Sequence, residues 1–275
     1  YYRKIKRRFI KQNKARLVVD KVLEIRQQMP RIGAKKLYYL LNQDLKILKI
    51  GRDKFIDILR ANHLLIAPKR SYHITTNSHH RFRKYNNQIL DLEINKPEQV
   101  WVSDITYIGK RDKPCYLSLI TDAYSKKIVG YNVSDNLNTE SSLVALRLAI
   151  KQRKNKDLVL IHHSDRGLQY CANEYQKLLY KNRIKPSMTQ NSDPYENAVA
   201  ERINGILKQE FNIDKYNKDL PIMKQIIKET VEIYNEKRPH LSNHMLTPNQ
   251  MHQQSKLKMK TYKTKNTCKN VLASV

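Results

Sequence analysis

The stretch Leu158-Val159-Leu160-Ile161-His162-His163-Ser164-Asp165-Arg166-Gly167 decides the fold class. A short apolar, partly β-branched run closed by a glycine turn is a buried strand. It delivers Asp165 at the strand's end, where a sheet presents functional side chains. Further on, Asn197-Ala198-Val199-Ala200-Glu201-Arg202-Ile203-Asn204-Gly205-Ile206-Leu207-Lys208-Gln209-Glu210 has the helical period. Val199, Ile203, Ile206 and Leu207 fall on one side of that helix, and Asn197, Glu201, Asn204 and Lys208 on the other. Glu201 therefore stands off the core. A polar row of this kind is ordinarily a solvated face, but the second acid supplies another reading. Magnesium-type cations are held by one or two carboxylates plus phosphate oxygens, and phosphoryl-transfer sites draw their carboxylates from separate elements.

Around this pair the chain alternates between the two periods. Trp101 to Ile108, Cys115 to Thr121 and Lys127 to Ser134 are rich in aromatic and β-branched residues and are separated by polar turns, which predicts a meander of three strands. A helix is predicted from Thr139 to Gln152 with Leu143, Leu146 and Ile150 on one side. After the Asp165 strand come a helix at Asn173 to Lys181 and a short strand at Ile184 to Met188. That order predicts an α/β layer with a mixed sheet and flanking helices.

Charge names the partner class. The chain of 275 residues carries 53 Lys and Arg against 25 Asp and Glu, a net of +28, and such an excess points to a polyanion, nucleic acid first. It is concentrated at the start: residues 1–90 hold 23 basic and 5 acidic side chains. No run has the apolar length of a membrane span and the basic start lacks the apolar core of a signal peptide, so the expectation is a cytoplasmic protein with no membrane partner. Cys115, Cys171 and Cys268 are scattered and lack any CxxC pair, which argues for buried or incidental thiols rather than disulfides or zinc.

In the N-terminal third, helical spacing covers residues 16–28 (Leu17, Val18, Val22, Ile25), 34–42 (Leu37, Leu40, Leu41) and 52–61 (Phe55, Ile56, Leu59). Three short helices with a basic surface suit a small all-α helix-turn-helix domain over residues 1–66; a helical bundle kept soluble by its lysines is the other reading. Residues 67–95 read as a basic linker. There Arg81, Arg83 and Lys84, interleaved with Phe82 and Tyr85, fit either a track along phosphates or a solvated tether. Residues 96–254 form the α/β core, and residues 255–275 a Lys-rich tail suited to sequence-independent DNA affinity. Among the other acids, Asp112 and Asp122 read as turn residues and Glu196 as a helix-start charge, while Glu210 has no evident partner on the polar row. His163 reads as a capping or backbone-bonded residue near the site.

Asp104 in the first strand, Asp165 at the end of the fourth and Glu201 on a helix after 35 intervening residues resemble the Asp-Asp-Glu signature of the retroviral-integrase-like transposases. Trp101 to Ile108, His163 to Tyr170, Glu196 to Glu210, and Tyr234 to Pro239 followed by Leu246-Thr247-Pro248 resemble the second-frame catalytic protein of bacterial insertion sequences, and Arg31 to Asn42 resembles that family's second helix-turn-helix. Two local departures are Arg202-Ile203, where relatives carry an aromatic pair, and Ser192-Asp193-Pro194-Tyr195 in place of a Gly-Asn-Cys-Trp-like run.

The resemblance implies a ribonuclease H-like core and a transposase that cleaves element ends and joins the freed 3′-hydroxyl to a target (DNA recombination and integration). It implies Asp104, Asp165 and Glu201 as catalytic residues holding two divalent ions, magnesium or manganese. Lys208 is implied as a DNA contact, with Asn197 and Asn204 beside it on the same row. The implied partners are double-stranded DNA, further copies of the chain assembled on it, and a first-frame product; the implied location is the bacterial nucleoid. A DNA-binding remnant or inhibitor that keeps the fold without the chemistry is the alternative reading.

Overall fold

The computed structural model describes residues 1–67, 85–90, 92–109, 114–190 and 197–260. Arg81, Arg83 and Lys84 of the linker, Asp112, Asp193, Glu196 and the tail beyond residue 260 lie outside the described residues.

Four helices, not three, open the chain: α1 (Tyr2–Gln28), α2 (Ala34–Leu40), α3 (Asn42–Ile47) and α4 (Arg52–Ala61). The last has the bounds its periodicity predicts and buries Phe55 and Leu59. Six residues are too few to display a period, which hides α3; it inserts Leu45 into the core as its one buried side chain. The first helix begins well before the apolar positions that announce it. Only Val18 and Val22 are buried on it, and Leu17, expected inward, is half exposed. Lysine and arginine are good helix formers, so a charged run extends a helix without leaving an amphipathic signal.

The core follows as β1 (Val100–Ile108), β2 (Cys115–Asp122), β3 (Ile128–Ser134), α5 (Thr139–Gln152), β4 (Leu160–Ser164), α6 (Leu168–Cys171), α7 (Asn173–Lys181), β5 (Ile184–Met188), α8 (Ala198–Glu210), α9 (Leu220–Lys237) and α10 (Pro248–His252). The strands form one sheet in the order β3-β2-β1-β4-β5. Strands β1, β2 and β3 make the expected antiparallel meander, while β4 and β5 run parallel to β1 through the helical crossovers α5 and α7. This is the mixed α/β sheet the element order predicts. Strand β4 starts two residues later than its apolar run, since Leu158 and Val159 are exposed. Pro186 sits on the edge strand β5, where a missing N–H is tolerated.

Period two sorts β1 onto two faces. Trp101 packs with Ile120, Val129, Leu146 and Tyr175 beneath α5 and α7, whereas Val100 and Val102 pack with Ala200 of α8. The α5 face depends on one close approach. A Cβ on Gly130 would overlap the Ala145 carbonyl oxygen and lie 2.9 Å from the Ala149 Cβ, so β3 and α5 touch backbone to backbone. Gly130→Ala is expected to destabilise the chain by about 1–3 kcal/mol, the range for overpacking a core. Urea unfolding measures it, and a variant as stable as the parent would show that the helix shifts at no cost.

The N-terminal helices share a core with the sheet. Val18, Leu37 and Phe55 belong to one apolar cluster with Leu117, Ile206, Ile227 and Tyr234. Glu210, at the last residue of α8, fastens the two parts. Its carboxylate accepts from Lys36 Nζ at 2.7 Å and, through both oxygens, from Arg238 Nε and Nη2 at 2.8 Å each. Its carbonyl accepts from the Arg31 backbone N–H at 2.9 Å. No helix among the described residues is long and apolar enough to cross a membrane.

Candidate active site

Register brings the first two acids together. In the parallel pairing of β1 and β4, Val100 lies opposite Ile161, Trp101 opposite His162 and Val102 opposite His163. Carried two residues further, that register sets Asp104 level with Asp165, just past the end of β4. The same alternation that turns Val100 and Val102 toward α8 turns Asp104 toward it too. Asp165 opens a tight turn, its Oδ1 accepting from the Gly167 N–H at 3.0 Å. The turn is closed from the side by the Arg166 guanidinium, which donates to the Thr189 carbonyl at 2.6 Å.

Helix α8 lays its row across this point. Residues Glu201, Asn204 and Lys208 recur at helical spacing, and the row is not evenly solvated: Glu201 is exposed, Lys208 is half-buried, and Asn204 and Asn197 are buried. The Asn204 amide donates to Asp104 Oδ2 at 2.7 Å, and the Asp104 Oδ1 accepts from the Ile105 N–H at 2.9 Å. Asn197 donates to the Ser103 carbonyl at 3.1 Å and so pins the start of α8 to β1. The two asparagines grouped with Lys208 as DNA contacts thus spend their amide N–H groups on the strand that carries the first acid. Sequence pattern put Asn204 on the correct face; only the three-dimensional path of β1 reveals what stands opposite it.

Electrostatics single out Asp104. Burial, then the Asp165 charge, and more weakly Glu201, push its carboxyl up to about 7, against the opposing pull of the Asn204 and Ile105 hydrogen bonds. Lys208 is lowered chiefly by burial and steadied by the Asp104 and Asp214 charges. Behind the acids lies an apolar and aromatic wall. Tyr170 is buried and its ionisation is driven far up, first by burial and then by Tyr175 and the charges of Asp165 and Asp104. Beside it the Tyr175 hydroxyl meets His162 Nε2 at 2.9 Å, and burial pushes His162 down to about 3, so that imidazole is neutral. His163, read from sequence as a capping or backbone-bonded residue, has a side-chain partner instead in the Ser187 hydroxyl, 2.9 Å from its Nδ1. Asp122, read from sequence as a turn residue, is the last residue of β2 and braces the turn that follows, accepting from the Ser125 N–H and hydroxyl and from the Glu98 N–H.

The arrangement gathers acidic side chains in one region. The Asp104 carboxyl from the middle of β1 and the Asp165 carboxyl just past the end of β4 come together, a third stands on the exposed rim of α8, and a lysine flanks them. Among the described residues no three His, Cys, Asp or Glu side chains close tightly around a single point. The donors nonetheless suit a hard cation, all of them carboxylate oxygens, and the raised Asp104 carboxyl registers the repulsion such an ion would relieve.

Two parts of the chain, residues 94–194 and 182–248, match the family described as Integrase core domain. An uncharacterised 31 kDa protein of insertion element IS600 from Shigella sonnei is 34% identical over 236 residues, which cover 84% of each chain. A putative transposase of insertion sequence IS986/IS6110 from Mycobacterium tuberculosis is 36% identical over 42% of each. The putative transposase InsK of IS150 from Escherichia coli is 29% identical over 61% of this chain and 62% of its own. Among solved structures, a chain of the simian T-cell lymphotropic virus intasome, in complex with PP2A regulatory subunit B56 gamma, superposes with a TM-score of 0.50 at 17% identity. That match covers 88% of this chain and 81% of that one, a likeness of fold that fits the expected ribonuclease H-like sheet. From the extent of the IS600 match and the two Integrase core segments together, this chain belongs to the insertion-sequence transposases of the retroviral-integrase-like family.

Proposed function

We propose that the chain performs the chemistry of DNA transposition, cleaving strands at the ends of a mobile element and joining the resulting 3′-hydroxyl to target DNA. Asp104, Asp165 and Glu201 are the residues that carry it. The observation that bears most weight is the meeting of Asp104 and Asp165 across β1 and β4, with the Asp104 carboxyl raised to about 7. Groups forced together in this way are kept at functional sites rather than in structural cores.

These three acids would hold two divalent ions, magnesium or manganese, which when bound activate the attacking oxygen and relieve charge on the departing one. What the chain's own residues contribute is placement. Asn204 orients the Asp104 carboxylate through its 2.7 Å hydrogen bond, and Asn197 fixes the start of α8 against β1. Tyr170 and Tyr175 exclude water from beneath the acids. Lys208, one turn beyond Asn204, offers a cation to a phosphate entering along α8. Because one phosphodiester replaces another, strand joining needs no energy-supplying cofactor.

The helices within residues 1–66 serve as the duplex-binding part, the core of residues 96–254 as the catalytic part, and Arg81, Arg83 and Lys84 as further phosphate contacts between them. Double-stranded DNA and other copies of the chain gathered on it are the partners, with a first-frame product of the same element as a third. The test is incubation of the chain with a labelled duplex carrying an element end in magnesium. Nicking at the end, followed by joining to a second duplex, is the expected result. Binding without any cleavage, under conditions where a relative cuts, would favour a DNA-binding remnant.

A further inference from the structure

Within the helices proposed to bind duplex DNA, the first half of α1 stands apart as a charged, exposed surface. Every residue from Tyr1 to Asn13 is exposed. Arg3, Lys4, Lys6, Arg7, Arg8 and Lys11 crowd this segment, and no acid occurs before Asp20. None of these six forms an ion pair among the described residues; the first pair along the chain is Lys21 with Asp44. The arrangement opposes itself in water, because Arg3 and Arg7, Lys4 and Arg8, and Arg7 and Lys11 are like charges four residues apart, each pair weakening a helix by a few tenths of a kcal/mol. An unpacked helix of this length is marginal even without that repulsion.

One row decides what it faces. In the second half of α1, Val18, Val22 and Ile25 form the stripe that packs on the body of the N-terminal helices. Continued backward at the same spacing, the stripe becomes Lys14, Lys11, Arg7 and Lys4. Lys14 already turns toward the body, its Nζ donating to the Leu48 carbonyl at the end of α3 at 2.9 Å. The docking face of the helix therefore passes from apolar to wholly cationic where the body ends, and a cationic row matches a line of anions rather than a protein core. Counting 100° per residue, Arg3, Lys4, Lys6, Arg7, Arg8 and Lys11 cover more than half the circumference. The apolar strip on the far side holds only Tyr2, Ile5 and Phe9, too narrow for the broad apolar face of a membrane-surface helix.

We propose that residues 2–14 of α1 form a backbone-binding arm that lies along the phosphates of duplex DNA held by the helices behind it and reads no bases. This rests on the reading of the chain as a DNA transposase, but its test does not depend on catalysis. Affinity of the full chain is measured in a chelator, where no strand is cut, on an element-end duplex and a random duplex across a salt series. The triple variant Lys4→Gln, Arg7→Gln and Lys11→Gln keeps good helix formers on an exposed surface and should unfold at the parent's temperature.

Each lost phosphate contact removes about 0.9 from the slope of log affinity against log salt, so the slope should fall by about 2–3, with affinity at ~0.1 M salt reduced some 10- to 100-fold equally on both duplexes. The parent should also gain helical circular dichroism on adding duplex, and the variant less. An unchanged slope overturns the arm. So does a loss confined to the element end, or a parent that binds anionic lipid vesicles as tightly as DNA. A change of oligomeric state in the variant without a change of slope would assign the row to a second copy and overturn it as well.

Discussion

Asp165→Asn and Glu201→Gln are each expected to reduce strand cleavage in magnesium by at least about three orders of magnitude, equivalent to roughly 4 kcal/mol of lost transition-state stabilisation. DNA affinity should stay within a factor of about two, because lysines and arginines at phosphates supply most of it. The two positions test different parts of the site. Asp165 sits in a turn locked by its own hydrogen bond to the Gly167 N–H, so an amide there keeps the backbone and alters the donor alone. Glu201 is exposed on the rim of α8, and its replacement touches no packing. Cleavage by either variant near the parental rate, at equal bound DNA, would remove the assignment.

Asp104→Asn should lose cleavage equally but gain stability, a combination a merely structural carboxylate would not show. The folded Asp104 carboxyl, at about 7, lies above its unfolded value near 3.9, so between those pH values the native chain holds a proton that the unfolded chain has released. Stability therefore falls as pH rises through about 4 to 7, and the penalty is complete above 7. The amide removes it. A gain on the order of 1–2 kcal/mol above pH 7 in chelator is expected, less than the whole shift implies because the residue is partly exposed, and the gain should vanish below pH 4. Magnesium should raise the melting temperature of the parent and leave that of the variant unmoved. A variant less stable than the parent at pH 8 would show that the Asn204 hydrogen bond outweighs the repulsion.

What could be read beforehand followed physical period. Helices α4, α5 and α7 and strand β5 have the bounds their apolar spacing predicts, since each is amphipathic or fully buried and ends at a turn signal. Asp165 and Glu201 could be singled out because few side chains suit a divalent cation and they stand at a strand's end and on a polar row; Asp104, in the middle of β1, carries no such signal and enters only through the family resemblance. Half of α1 gives little signal because charge covers more than half of its circumference and leaves only the narrow strip of Tyr2, Ile5 and Phe9, and α3 gives none because it is shorter than two turns. Asn204 falls on the expected face of α8, but its bond to Asp104 carries no sequence signal. Spacing along α8 says nothing about which strand end passes beneath it, and the 2.7 Å contact to Asp104 spans a hundred residues. Glu210 was lost for the same reason, its partners lying 174 residues before it and 28 after.

Those partners make Glu210→Ala the substitution with the largest expected effect on stability, about 3–5 kcal/mol, the cost of breaking a buried ion pair by removing one member. Arg238 is almost wholly inaccessible and Lys36 nearly so, and both point at the one carboxylate. Without it, two buried cations would face each other, and Lys36 is already lowered by burial and then by the Arg238 charge. Burial alone would raise the Glu210 carboxyl, but the hydrogen bonds and charges of Arg238 and Lys36 outweigh it and hold it below the usual range. A carboxyl lowered on folding stabilises the chain above its unfolded pKa, and that contribution is lost as pH falls through the folded value, so the parent should weaken in acid where the variant already has. Lys36→Met should cost far less, since it leaves the two-oxygen pairing with Arg238 intact. Because Glu210 ends the helix that carries Glu201, loss of its carboxylate should loosen the N-terminal helices from α8 before the sheet melts, leaving the Arg31 N–H bond to the residue 210 carbonyl in place. Proteolysis of the folded variant should then cut first near residue 30. A single cooperative transition with equal losses for Glu210→Ala and Lys36→Met would show instead that the apolar cluster from Val18 to Tyr234 holds the two parts together without the ion pairs.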